Sequence, residues 1–147
     1  MRQESLFRPD ALSAADARGL MQLQLATAAA VAQRWHLPPP DAGSLLDPAA
    51  AVPLGAARLR ELLDRYGGEL AVALAAYNAG IAPVARWLPA PPMQADIWIE
   101  NIPYDETRGY VERILEHIVA YGWTRHTKPH LPVLLPPIEP QATAAGR

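Results

Sequence analysis

The stretch Glu69-Leu70-Ala71-Val72-Ala73-Leu74-Ala75-Ala76-Tyr77-Asn78-Ala79-Gly80 decides the fold class. From Leu70 to Ala76 no side chain is polar, so a helix here is apolar nearly all round. Such a helix belongs inside a bundle, where its alanines allow neighbours to come close. Gly80 is placed to close it as a left-handed cap. Upstream, Gly67-Gly68 ends a helix expected from about Val52 to Tyr66, with Leu59, Leu62, Leu63 and Tyr66 on one stripe. Downstream, Pro83 suits the first turn of a short helix through Ala85-Arg86-Trp87-Leu88, which Pro89 stops. The segment Ile97-Trp98-Ile99-Glu100-Asn101-Ile102-Pro103 is apolar with one acid inside it. After Pro103, Asp105 and Glu106 favour a helix N-terminus. That helix should run to about Tyr121, turn Tyr110, Val111, Ile114, Leu115 and Ile118 inward, and close at Gly122. Nearer the start, Thr27 is the expected cap of a helix over 28–35, stopped by Pro38-Pro39-Pro40, and 41–47 reads as loop. No run of useful length alternates with the period of a strand. The class is all-α with little or no β-sheet, and Trp35, Trp87, Trp98 and Trp123 are expected in the core.

The 147 residues suffice for one domain with a real core. A net charge of -2 with 19% charged residues gives no electrostatic footprint for nucleic acid. With Cys at 0, disulfides and thiolate metal sites are excluded. His126 and His130 have helical spacing, but Pro129 lies between them, so no shared metal face is expected. No apolar run is long enough to span a membrane, and Met1-Arg2-Gln3-Glu4-Ser5 has none of the hydrophobic character of a signal peptide. From Lys128 onward, prolines at 129, 132, 136, 137 and 140 predict an extended tail. The division is a domain over 1–125 and a Pro-rich, flexible tail over 126–147.

Chemistry concentrates at the start of the chain. Glu4 stands beside Ser5, and about fifteen residues later comes Gly19-Leu20-Met21-Gln22. Pro9 disfavours helix at Arg8, and Asp10 and Ser13 can bond neighbouring backbone groups, so a helix carrying Glu4 should end here. The turn-rich link can then fold Leu20-Met21 back over Glu4. A carboxyl under an apolar lid holds its proton to higher pH, as a general acid at neutral pH must. Asp10 and Asp16 read as turn residues, which leaves Glu4 without a fixed second carboxylate.

Four marks stand together: Gln3-Glu4-Ser5, Gly19-Leu20-Met21-Gln22, Ala76-Tyr77-Asn78-Ala79-Gly80, and Ile99-Glu100-Asn101-Ile102-Pro103-Tyr104-Asp105-Glu106-Thr107-Arg108-Gly109-Tyr110-Val111. In this order and spacing, from Arg2 to about Trp123, they closely resemble the catalytic domain of soluble lytic transglycosylases, whose lysozyme-like fold is related to goose-type lysozyme. The resemblance implies a non-hydrolytic murein lyase. It would cleave the β-1,4 bond between N-acetylmuramic acid and N-acetylglucosamine and leave a 1,6-anhydromuramyl product. Glu4 matches the single catalytic acid and base. Ser5 and Ser13 match serines near the acid and the sugar, Met21 and Gln22 the groove wall, Tyr77 and Asn78 the groove floor. Glu100 matches an acid that binds a sugar or its peptide stem, and Tyr110 a tyrosine close to the catalytic glutamate. The implied partner is the peptidoglycan strand, with a monomeric protein, no cofactor, no metal and no nucleic acid. The implied location is the periplasm or cell envelope. The alternatives are a non-catalytic peptidoglycan-binding remnant and a hydrolytic goose-type lysozyme.

The chain also departs from that family. Ala14, Asp16 and Ala17 replace the usual Pro and Gly of the link, and Gln24-Leu25 replaces Met-Pro. Asp47, Pro48 and Gly55 persist, but Ala51 stands for an asparagine and Arg58 for a tyrosine. The family places its acid at the end of a long helix, whereas only Met1, Arg2 and Gln3 precede Glu4. Three residues cannot sustain a helix. The expectation is therefore a natural polypeptide extending upstream, with export depending on that segment and Leu20, Leu74 and Ile114 partly buried against it.

Overall fold

A computed structural model describes residues 1–126 and 135–140. Its helices are α1 (Arg2–Ser5), α2 (Leu25–Trp35), α3 (Pro48–Arg65), α4 (Leu70–Ala79), α5 (Ile81–Trp87), α6 (Ala95–Glu100) and α7 (Asp105–Thr124), with a 3₁₀ turn at Ser44–Leu46. Among the described residues there is no β-strand, only three isolated bridges. The all-α expectation is met. The chain divides into two compact units, Met1–Glu61 and Leu62–Arg147, and α3 carries the boundary.

In the first unit, α2 begins at Leu25 with Gln24 as its cap, and no side chain closes that end. Thr27 lies inside the helix, so its expected capping role is wrong. The helix starts where the turn at Gln22-Leu23 releases the chain, ahead of the better capping residue. Helix α3 also begins earlier than expected. Asp47 Oδ1 accepts the Ala49 N–H at 2.9 Å, and its carbonyl accepts from Ala51. Pro48 sits in the first position, which its fixed φ suits. Asp47-Pro48 is thus a helix start that reads as loop in the bare sequence. The ends of α2 and α3 are joined at Glu61, whose carboxylate takes Arg34 at 3.2 Å, Arg58 at 3.3 Å and the Trp35 indole N–H at 3.2 Å. Trp35 is 43% exposed and is not core.

In the second unit, α4 is the central rod. Ala71, Val72, Ala73, Leu74, Ala75 and Ala76 are all buried, as a helix apolar on every face requires. Helices α5 and α7 pack against it, and α6 packs on α7. Gly80 ends α4 with φ 88° and ψ 162°, so it has the positive φ but not the left-handed ψ that was expected. It opens α5 in the same step. Helix α7 passes through Gly122, which is buried within its last turn, and the left-handed residue that follows the helix is His126. Tyr110 and Val111 are buried as expected, but Ile114, Leu115 and Ile118 are only half-buried. Of the tryptophans here, Trp98 is 2% exposed and donates to the Trp87 carbonyl at 2.9 Å, whereas Trp123 is 74% exposed.

Of the tail, 135–140 is described, and it adds core that its proline content did not suggest. Ile138 is 1% exposed and exchanges backbone hydrogen bonds with Met93 at 2.7 and 3.1 Å. Glu139 donates its N–H to Glu69 Oε1 at 3.0 Å. Burial holds the Glu69 carboxyl above its ordinary range, with that hydrogen bond opposing. The remaining tail positions lie outside the described residues.

Candidate active site

Glu4 lies in α1, a single helical turn. The turn is closed by Leu6, whose N–H reaches the Arg2 carbonyl at 3.0 Å from a left-handed φ of 51°. Phe7 follows at φ 62°, so two consecutive residues with side chains sit where L-residues are strained. This sharp reversal ends the helix two residues before the position that Pro9 suggested. Ser5 is buried, and its hydroxyl lies 3.2 Å from both the Leu20 and the Met1 carbonyls. One hydroxyl hydrogen serves two acceptors, so the contact is shared. The Leu20 contact draws the apolar pair Leu20-Met21 to the turn that carries Glu4, the fold-back read from the sequence. Glu4 itself is half-buried.

The link is fastened from inside. Ser13 accepts the Ala17 N–H on its hydroxyl at 3.0 Å and donates its own N–H to the Ala17 carbonyl at 2.9 Å. The Gln22 side-chain amide donates to the Ala11 and Gly19 carbonyls at 3.2 and 3.0 Å. Gln22 has φ 46°, another strained position. Ser13 and Gln22 therefore hold the backbone of the link together. Met21 is half-buried against α3: a Cβ on Gly55 would stand 2.5–2.7 Å from Met21 Cε, Cγ and Cβ. Gly19 is tighter still, because a Cβ there would run into the Leu45 carbonyl oxygen, and its φ is +67°. Both glycines are needed for close approach.

Asp10 and Asp16 are exposed and paired with Arg8 at 3.2 Å and Arg18 at 2.6 Å. The hydrogen bond from Arg8 holds the Asp10 carboxyl below its ordinary range. A carboxyl kept ionised in this way cannot donate a proton at neutral pH. The turn-residue reading of both acids agrees with this geometry.

In the second unit, Asn78 lies near the end of α4 and its Oδ1 accepts the Thr107 hydroxyl at 2.6 Å. Thr107 is 2% exposed and Asn78 half-buried, so a part-buried hydrogen bond ties the Ala-Tyr-Asn-Ala-Gly mark to α7. Thr107 was not singled out from the sequence, although it sits inside the fourth mark. Tyr77 is half-buried one residue earlier, and Tyr110 is 5% exposed on α7 one turn beyond Thr107. Glu100 is exposed at the last position of α6. An acid at that end of a helix gains nothing from the helix dipole. Below it, Arg108 donates to the Ile102 carbonyl at 3.0 Å and pairs with Asp105, which fixes the turn into α7. Among the described residues no group of three or more His, Asp or Glu side chains is arranged to hold a metal ion.

The candidate residues thus form two sets. Glu4, Ser5, Ser13, Met21 and Gln22 belong to the first unit, and Tyr77, Asn78, Glu100 and Tyr110 to the second. The first set is a one-acid turn joined to an apolar pair, and the second gathers on the end of α4 and on α6 and α7. The family model for the transglycosylase SLT domain matches residues 1–98. The soluble lytic murein transglycosylase of Escherichia coli strain K12 is 35% identical over 133 residues, covering 88% of this chain and 21% of its own. Its counterpart from Salmonella typhimurium is 36% identical over 123 residues, covering 82% and 19%. In structure, the chain matches an inactive glutamate-to-glutamine mutant of the lytic transglycosylase Slt from Pseudomonas aeruginosa. That match has a TM-score of 0.83 and 39% identity, over 87% of this chain and 21% of that one. It also matches the 70-kDa soluble lytic transglycosylase of Escherichia coli with a TM-score of 0.83 and 34% identity, over 91% and 22%. The chain belongs to the transglycosylase SLT domain family. It spans about a fifth of the length of these relatives.

Proposed function

We propose that this chain is the catalytic domain of a peptidoglycan lytic transglycosylase, with Glu4 as its one acid and base. The observation that carries the proposal is the Ser5–Leu20 contact at 3.2 Å, which binds the turn bearing Glu4 to the apolar pair Leu20-Met21. The Asp10 ion pair supports it, because the hydrogen bond from Arg8 keeps that carboxyl ionised and so removes it as a proton donor. So does the inactivity of a glutamate-to-glutamine mutant of the Pseudomonas aeruginosa relative.

The chemistry follows from one carboxyl used twice. Protonated Glu4 gives its proton to the oxygen of the β-1,4 bond between N-acetylmuramic acid and N-acetylglucosamine as that bond breaks. The substrate's acetamido group stabilises the cation at C1, in place of a second carboxylate. Ionised Glu4 then takes the proton from the muramyl C6 hydroxyl, whose oxygen closes on C1 to form the 1,6-anhydro ring. Protons balance, and no water is consumed. By their match to the family, Met21, Gln22, Tyr77 and Asn78 are the proposed sugar-binding residues, Glu100 the proposed partner of a sugar or the peptide stem, and Tyr110 a further proposed site residue. Ser5 and Ser13 act at second hand, by shaping the turn and the link. The substrate places the protein in the periplasm or cell envelope.

Mass analysis of muropeptides released from purified murein tests this reading. The expected product is lighter by one water than its hydrolytic counterpart. A hydrated product would assign the chain to hydrolysis instead, and no release would leave it a glycan-binding module.

A further inference from the structure

We propose that the groove between α6 and the outer face of α7 docks a basic amphipathic helix from a partner protein. The groove encloses about 740 Å³. Its apolar lining includes Ile99, Leu115, Val119 and, from the 135–140 segment, Leu135, and Trp123 on α7 has 74% of its surface exposed. The positions taken from α7 recur at helical spacing, so one continuous apolar stripe faces outward where an inward one was expected. An exposed tryptophan beside an apolar floor is the usual centre of a protein interface.

The rim settles the kind of occupant. Asp96 and Glu100 from α6 and Glu112 and Glu116 from α7 all line the groove, and no Lys or Arg does. Among the described residues, none of these four carboxylates forms an ion pair. Glu112 and Glu116 also stand four apart on one helix face, where like charges repel. An anionic rim around an apolar trough complements a helix with leucine-type residues along one face and lysine or arginine on both flanks. Such a partner would neutralise the four acids and cover Trp123 together. The groove shares Glu100, but not Glu4, with the residues proposed for substrate, so the test is made at Glu116 and Trp123, which lie outside that set.

Calorimetric titration of the 147-residue chain with a synthetic leucine–lysine amphipathic helix, and with its leucine–glutamate counterpart, tests the proposal. The lysine helix should bind at least about tenfold more tightly. Glu116→Lys and Trp123→Ala should each weaken it by about tenfold. Asp10→Lys, the same charge change at an exposed position off the groove, should leave it within about twofold. Equal affinity for the two peptides would overturn the proposal. So would equal losses from Glu116→Lys and Asp10→Lys, which would mean attraction to overall charge alone. Self-association of the free chain that Trp123→Ala abolishes would also overturn it, by giving the groove to a second copy.

Discussion

The two units hold their site residues by opposite means. In Met1–Glu61 the candidate residues sit on a single helical turn and the link after it, and both are kept in place by strained backbone and close contacts. Leu6, Phe7, Asp16, Gln22 and His36 all have positive φ, whereas His126 is the only such non-glycine residue described in the second unit. Strain of this kind costs about 1–3 kcal/mol per residue and persists only where the surroundings over-determine it. Here the surroundings are the Ser5–Leu20 bond, the Gln22 amide and the approach of Gly19 to Leu45. In Leu62–Arg147 the site residues stand on α4, α6 and α7, and the positive φ values around them fall mostly on Gly67, Gly68 and Gly80, which adopt them without strain. The comparison teaches that the acid-bearing unit depends on a few backbone contacts, while the second spreads its stability over helix packing.

Substitutions at those contacts should expose the asymmetry. Gly19→Ala has the largest expected effect, since its Cβ meets main chain, which cannot swing aside, and its φ is left-handed. A loss on the order of 3–5 kcal/mol by denaturant unfolding is expected, and a loss under about 1 kcal/mol would remove the rigid link from the account. Thr107→Val in the second unit keeps shape but strands Asn78 Oδ1. It should cost about 1–2 kcal/mol, and Thr107→Ser should recover most of it. The comparison breaks if Thr107→Val proves as damaging as Gly19→Ala. Leu6→Gly is the smallest and has the opposite sign. Leu6 is 76% exposed and gains little from its side chain, so relief of the left-handed strain outweighs the added chain entropy. A rise in stability of up to about 1 kcal/mol is expected, and a clear fall in melting temperature would show that the turn is not strained.

The same asymmetry governs what the sequence made legible. Helix α4 was plain, because seven consecutive apolar residues have one structural solution in an all-α chain. The four marks singled out the residues proposed here for catalysis and binding. What escaped was long-range geometry. Nothing local shows that Gly19 faces Leu45, that Gly55 faces Met21, or that Asn78 takes the hydroxyl of Thr107. Leu6 and Phe7 carry no left-handed signature, so the end of α1 was read from Pro9 instead. Trp35 and Trp123 were assigned to the core by residue type, and their exposure reflects where α2 and α7 end. Ile138 was missed because a single buried side chain makes no period among prolines.

The central claim is that one carboxyl does all the acid and base work. The direct measurement is the rate of soluble product release from purified murein by Glu4→Gln, beside Asp10→Asn and Asp16→Asn. The account predicts a fall of about 10²–10⁴ for Glu4→Gln, the usual worth of a general acid–base group. Both aspartate variants should stay within about twofold of the parent, since their carboxylates serve Arg8 and Arg18. An aspartate variant as crippled as Glu4→Gln would contradict the single-acid account, and so would a Glu4→Gln variant that kept the parent rate.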